Sequence, residues 1–101
     1  MVVISKAVLK EFSESHPDAV SALEKWYTDA QAADWKNFNE MKKSFNTVDA
    51  VGNDRYVFDI KGNHYRLITL ILFKVRTVFI LFVGTHKEYD KINAADVVFK
   101  K

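Results

Sequence analysis

The sequence predicts an α+β domain in which N-terminal helices pack on a mostly antiparallel sheet of about four strands. Apolar residues recur at helical spacing through the first half. The second half holds three runs rich in β-branched and aromatic residues, separated by turn residues close enough to make hairpins. At 101 residues, 49% hydrophobic and without a low-complexity tract, the chain suits one domain over residues 1–101. A chain of that length buries about two-thirds of its extended surface.

Val2-Val3-Ile4 reads as a short first strand joining the sheet. Ser5 is placed to cap a helix whose apolar positions are Ala7, Val8 and Phe12, with Glu11 and Glu14 outside and a stop near Ser15-His16. Pro17 fits the first turn of a second helix, where Asp18 suits the positive end of the dipole. Ala19, Ala22, Leu23, Trp26 and Ala30 make one stripe that should lie on the sheet, which assigns Trp26 to the core rather than to a ligand. Asn37 is a cap for a short helix running through Lys42 to Ser44, and residues 45–51 lead into the sheet. Gly52-Asn53-Asp54 is a turn ahead of the next strand.

Residues 55–90 organise the rest. Gly62-Asn63 has the order of a type II′ hairpin, which sets Lys61 opposite His64 and Asp59 opposite Arg66. A loop at Lys74-Val75-Arg76 pairs residues whose numbers sum to 150, bringing His64 opposite His86. Because side chains alternate faces, Asp59, Lys61, His64, Arg66 and His86 then crowd one end of one sheet face. A one-residue change in that loop sends His86 to the other face. The same register gives a helix-covered face of Tyr56, Phe58, Ile60, Tyr65, Leu67, Ile71, Phe73, Phe79, Leu81 and Val83. The opposite face carries Val57, Ile68, Leu70, Leu72, Val78, Ile80 and Phe82. That much apolar area calls for cover, from the tail at residues 93–101 with Val97, Val98 and Phe99, or from a protein partner.

Composition removes several function classes. The absence of cysteine excludes disulfides, thiolate nucleophiles and cysteine-ligated zinc. No Gly-rich phosphate loop, His-Glu-x-x-His pair or Asp-rich cluster is present, so neither a metal nor a cofactor is expected. Val2-Val3-Ile4 is too short for a secretory apolar segment. Residues 67–84 are interrupted by Lys74 and Arg76, which favours a hairpin over a membrane span and a cytoplasmic location. Residues 1–50 carry six Lys against eight acids, whereas residues 51–101 carry nine Lys or Arg against five. The basic excess therefore accompanies the candidate site and suits a polyanion.

What remains is a set built from Arg66, His86 and Tyr89, with Lys61, His64 and Lys87 nearby. RNA cleavage by its own 2′-hydroxyl needs only a base, positive charge on the phosphorane-like transition state and an acid for the leaving 5′ oxygen. Histidine exchanges protons near neutrality, and a guanidinium binds two phosphate oxygens at once. Tyr89 shares a face with His86 if Thr85 starts a helical turn, placed to stack on a base or donate a proton. Each residue also has a plain structural reading. Arg66 opposite Asp59 makes a cross-strand ion pair, His86 reaches Asp90 four residues on, and Thr85 with Glu88 has the capping-box pattern.

Gly62-Asn63-His64-Tyr65-Arg66-Leu67-Ile68, followed by Thr85-His86-Lys87-Glu88-Tyr89-Asp90, resembles the HigB toxins of type II toxin–antitoxin systems, which are RelE-like mRNA interferases. The likeness extends to Ile4-Ser5-Lys6-Ala7-Val8, His16-Pro17-Asp18, Trp26-Tyr27, Trp35-Lys36-Asn37-Phe38 and Val57-Phe58-Asp59-Ile60, and stops after Lys91. It implies a RelE-like fold, endonucleolytic cleavage of mRNA on the ribosome, and a HigA-type helix-turn-helix antitoxin through which alone DNA would be bound. No membrane partner is implied. Arg66, His86 and Tyr89 match the family motif as catalytic residues, and Lys36 matches a basic position. The candidate RNA-binding residues are Lys36, Lys61, Asn63, His64, Lys87 and Lys91, of which Lys61 and His64 rest on the hairpin geometry. The competing class is a non-catalytic module that binds nucleic acid or protein through the same surfaces. A neighbouring frame for a small helix-turn-helix protein, or growth arrest abolished by Arg66→Ala, separates the two.

Overall fold

The computed structural model describes residues 1–98. Its elements run β1 (Val2–Ile4), α1 (Lys6–Ser15), α2 (Val20–Ala32), α3 (Phe38–Ser44), β2 (Asp49–Gly52), β3 (Arg55–Ile60), β4 (Tyr65–Leu72), β5 (Thr77–Thr85) and α4 (His86–Asp90). The strands form one sheet in the order β1-β5-β4-β3-β2, with β1 parallel to β5 and every other pair antiparallel. The fold is therefore α+β and mostly antiparallel, with β2 bringing the sheet to five strands.

The helices cover one face. Leu23, Trp26 and Ala30 of α2 are buried together with Phe58, Ile60, Leu67 and Ile71 of the sheet. The Trp26 and Phe45 rings meet Phe58 edge-on at 5.3 and 5.2 Å, an arrangement favoured by the ring quadrupoles. Asn37 caps α3 as expected, its side-chain oxygen accepting from the Glu40 backbone N–H at 2.9 Å. Ser5 precedes α1 but does not cap it. Its φ of 76° is left-handed, and its side chain makes no capping hydrogen bond.

The β3–β4 pairing is the expected one, with Asp59 opposite Arg66. The β4–β5 pairing is a mixture. From Leu72↔Thr77 to Thr69↔Ile80 the paired numbers sum to 149, because Phe73–Val75 coils into a 3-10 turn and Arg76 takes a left-handed φ of 50°. A bulge at Leu81 then absorbs one residue, and from Ile68↔Phe82 to Tyr65↔Thr85 the sum is 150. The expectation for Phe79 and Leu81 is thus corrected. Val78 and Ile80 belong to the helix-covered core, while Phe79 and Leu81 lie on the opposite face with Leu70 and Val98. Beyond the bulge the expected face holds, and Val83 joins the core.

The tail covers part of the second face. Ala94 is buried with Val57 and Ile68, and Val97 packs beside them. Arg55 Nε and Nη2 donate to the Val97 carbonyl at 3.1 and 2.8 Å, and Asn53 Nδ2 donates to the Ala95 carbonyl at 3.0 Å. The cover expected from Phe99 lies outside the described residues. No helix among the described residues is long and apolar enough to cross a membrane.

Candidate functional site

The site sits where the turn at residues 61–64 meets the end of β5. The turn reverses through two consecutive left-handed residues, Lys61 at φ 54° and Gly62 at φ 67°. Such a conformation costs a non-glycine residue roughly 1 kcal/mol. It aims the Asn63 carbonyl at the site, where that oxygen accepts from Arg66 Nη1 at 3.2 Å and from His86 Nε2. One carbonyl therefore holds both side chains.

Arg66 Nη1 also pairs with Asp59 Oδ1 at 2.9 Å, so the expected cross-strand ion pair forms. Among the described residues Nε and Nη2 have no hydrogen-bond partner, and these are two donors of the planar fork that grips a phosphate. The guanidinium carbon lies 6.0 Å from the Tyr89 ring centroid, in cation–π range. Gly84 lies directly across from Arg66. A Cβ there would fall 2.5 Å from the Phe82 ring and 3.2 Å from Glu88 Cβ, so only glycine lets the ring and α4 close over the strand end.

His86 and Tyr89 ride on α4, a five-residue helix fixed by its start. The capping box is complete, with Thr85 Oγ1 accepting from the Glu88 N–H at 3.3 Å and the Glu88 carboxylate accepting from the Thr85 N–H at 2.9 Å. His86 makes no hydrogen bond to Asp90 among the described residues and bonds the Asn63 carbonyl instead. Because a carbonyl only accepts, Nε2 of His86 must carry hydrogen, which in the neutral ring leaves the lone pair on Nδ1. By the same reasoning His64 donates from Nδ1 to the Lys61 carbonyl at 2.8 Å and presents Nε2 outward. Burial pushes the Tyr89 hydroxyl above its ordinary pKa, opposed by Arg66 and reinforced by Asp49, Asp90 and Asp59. Tyr89 is therefore a proton-bearing group at neutral pH.

The structure thus gathers Arg66, His86, Tyr89, Asn63 and Asp59, with His64 on the turn, and exposed Lys87 and Lys91 on and just after α4. It does not bring Lys61 or Lys36 to them. The left-handed φ swings Lys61 to the helix side, where Nζ pairs with Asp18 at 2.9 Å. Lys36 follows Asp34, whose carboxylate holds Arg76 in the β4–β5 loop at the opposite end of the sheet. Among the described residues no three His, Asp or Glu side chains gather in a way that could hold a metal ion.

Sequence reasoning missed the cluster behind the turn. The Tyr65 hydroxyl donates to Asp18 at 2.8 and 2.9 Å, and its ring meets Phe12 and His16 edge-on at 5.2 and 5.5 Å. Hydrogen bonds from Lys61 and Tyr65 hold the Asp18 carboxyl below its ordinary range, and the bond to Asp18 raises the Tyr65 hydroxyl. The one available signal was a tyrosine at a core position, whose hydroxyl requires a partner. Nothing in the spacing points to Asp18, 47 residues away.

Residues 19–92 match the family model HigB_toxin, described as the RelE-like toxic component of a toxin–antitoxin system. The chain is 33% identical over 94 residues to the mRNA interferase HigB of Escherichia coli O6:H1 (strain CFT073), covering 91% of each chain. It is 28% identical over 96 residues to the mRNA interferase toxin HigB of Escherichia coli (strain K12) and to the mRNA interferase HigB of Shigella flexneri, covering 93% of this chain and 92% of each relative. With a five-stranded α+β fold that carries the motif residues on one rim, the chain belongs to the HigB family of RelE-like toxins of toxin–antitoxin systems.

Proposed function

We propose that the protein is a cytoplasmic endoribonuclease that cleaves mRNA engaged on the ribosome, uses no metal ion, and is neutralised by a HigA-type helix-turn-helix antitoxin. The carrying observation is the Arg66 guanidinium, which shares the Asn63 carbonyl with His86 through Nη1, lies 6.0 Å from the Tyr89 ring centroid, and keeps Nε and Nη2 without a hydrogen-bond partner among the described residues. The names of the relatives, mRNA interferases, support the same activity here. The family's role as the toxic component of a pair supports an antitoxin partner.

In this reading Nδ1 of neutral His86 takes the 2′ proton while Nε2 stays on the Asn63 carbonyl. The 2′ oxygen forms a bond to phosphorus and the bond to the 5′ oxygen breaks. Arg66 stabilises the charge on the non-bridging oxygens, and Tyr89 gives its proton to the leaving 5′ oxygen. The products are a 2′,3′-cyclic phosphate and a 5′-hydroxyl. His64, Asn63, Lys87 and Lys91 surround this centre as RNA contacts. A metal-free route is favoured by a cluster of cationic and hydroxyl-bearing groups in place of grouped carboxylates.

Induction in a growing culture tests the function. Wild-type protein should arrest growth and Arg66→Ala, accumulated to the same level, should not. Arrest by both proteins would favour a non-catalytic binding module.

A further inference from the structure

The turn that carries the Asn63 carbonyl is clamped from the side away from the site. Lys61, Tyr65 and Asp18 form a three-residue cluster in which one carboxylate accepts from both the ammonium and the hydroxyl. Tyr65 is 7% exposed and wedged against Phe12 and His16, whose own rings stack at 4.1 Å. Asp18 lies in the 3-10 turn Pro17–Ala19 between α1 and α2, which is closed by the Ala19 N–H donating to the His16 carbonyl at 2.9 Å and anchored by the fully buried Ala19. The carboxylate therefore has a rigid base on the helical layer. Lys61 sits in a left-handed conformation, less favourable for a lysine than the ordinary backbone regions, and the bond from its Nζ to Asp18 at 2.9 Å is its one side-chain hydrogen bond among the described residues.

Lys61 is also the near end of the turn. Its carbonyl accepts from the His64 N–H at 3.2 Å and from His64 Nδ1 at 2.8 Å. If Lys61 relaxes, the Asn63 carbonyl two residues on changes its aim, and with it the shared anchor of Arg66 and His86. We infer that Asp18 and Tyr65 are positioning residues for the catalytic centre, acting across the sheet through the Lys61 turn to fix the Asn63 carbonyl that orients Arg66 and His86. Among the described residues the side chains of Asp18 and Tyr65 make no hydrogen bond to those of Arg66 or His86, the one link being the Tyr65 carbonyl, 3.5 Å from Arg66 Nη1. This inference rests on the proposed ribonuclease reading for its kinetic consequence but not for its structural one.

The test uses full-length Asp18→Asn and Tyr65→Phe, each checked for folding by thermal melting, with two readouts. One is cleavage of mRNA on programmed ribosomes, resolved into kcat and KM. The other is the Nε2 resonance of His86 in nitrogen-edited NMR of the free protein. Both folded variants should lose about tenfold to a hundredfold in kcat, the scale of a misplaced catalytic group. KM should stay within about twofold of the parent. The His86 Nε2 resonance should shift in both variants. An unmoved resonance overturns the inference whether or not the parent cuts RNA. A parent that cuts no mRNA removes the ribonuclease reading while the resonance still decides the coupling. The rival in which Lys61 grips RNA directly predicts the opposite kinetics, because freeing the ammonium in Asp18→Asn would lower KM and leave kcat in place. That result too would overturn the inference.

Discussion

Arg66 spends one nitrogen on Asp59 and Asn63 and keeps two in reserve, and the division makes its role separable from its ion pair. Arg66→Lys keeps the charge and loses the fork. If the fork grips the scissile phosphate, that variant should lose about a hundredfold or more in kcat. Asp59→Asn should instead lower the melting temperature with activity per folded molecule retained. Equal kinetic loss in both would mean that only the pairing matters. His86 and Tyr89 divide in the same way. His86→Gln keeps size and hydrogen bonding but cannot titrate, and should cut about a hundred- to ten-thousand-fold more slowly while still binding ribosomes. Tyr89→Phe removes only the hydroxyl. A comparable loss identifies Tyr89 as the acid, and near-parental cutting would leave it only a stacking surface beside Arg66.

At the scale of elements, α4 is too short to persist unaided, so its capping box sets where His86 and Tyr89 stand. Thr85→Ala should cost roughly 1 kcal/mol of stability. The cleavage rate per folded molecule should fall as well, because both His86 and Tyr89 depend on where that helix starts. A lower melting temperature with an unchanged rate would detach the cap from catalysis. The capping box, the Asn37 cap and the β3–β4 register were all legible in the sequence, because each is fixed by residues three to seven apart. The β4–β5 register was legible only in its outcome. The loop is one residue off the expected pairing, and the bulge at Leu81 restores it before the site, so His86 arrives on the expected side by a route that alternation alone does not contain. The positions of Lys61 and Lys36 were not legible. One turns on a left-handed φ in a lysine, and the other on an ion pair between Asp34 and Arg76 that joins distant parts of the chain.

For the molecule as a whole, the two sheet faces have different duties. One is filled by the helices and supplies the rigid layer on which Asp18 is mounted. The other is covered in part by the described residues of the tail, and its polar end holds the candidate centre. The basic excess of the second half of the chain lies on the same part of the sequence as that centre, as a polyanionic substrate requires. The proposed chemistry is metal-free transesterification at one phosphate, and the ends of the cut strand report it most directly. Purified protein, translating ribosomes and a defined mRNA, with the products mapped after a brief EDTA chase too short to dissociate the ribosomes, should yield 2′,3′-cyclic phosphate and 5′-hydroxyl ends, and cutting should continue through the chase. Ends bearing a 5′-phosphate, or cutting that stops at once while the ribosomes remain intact, would contradict the account.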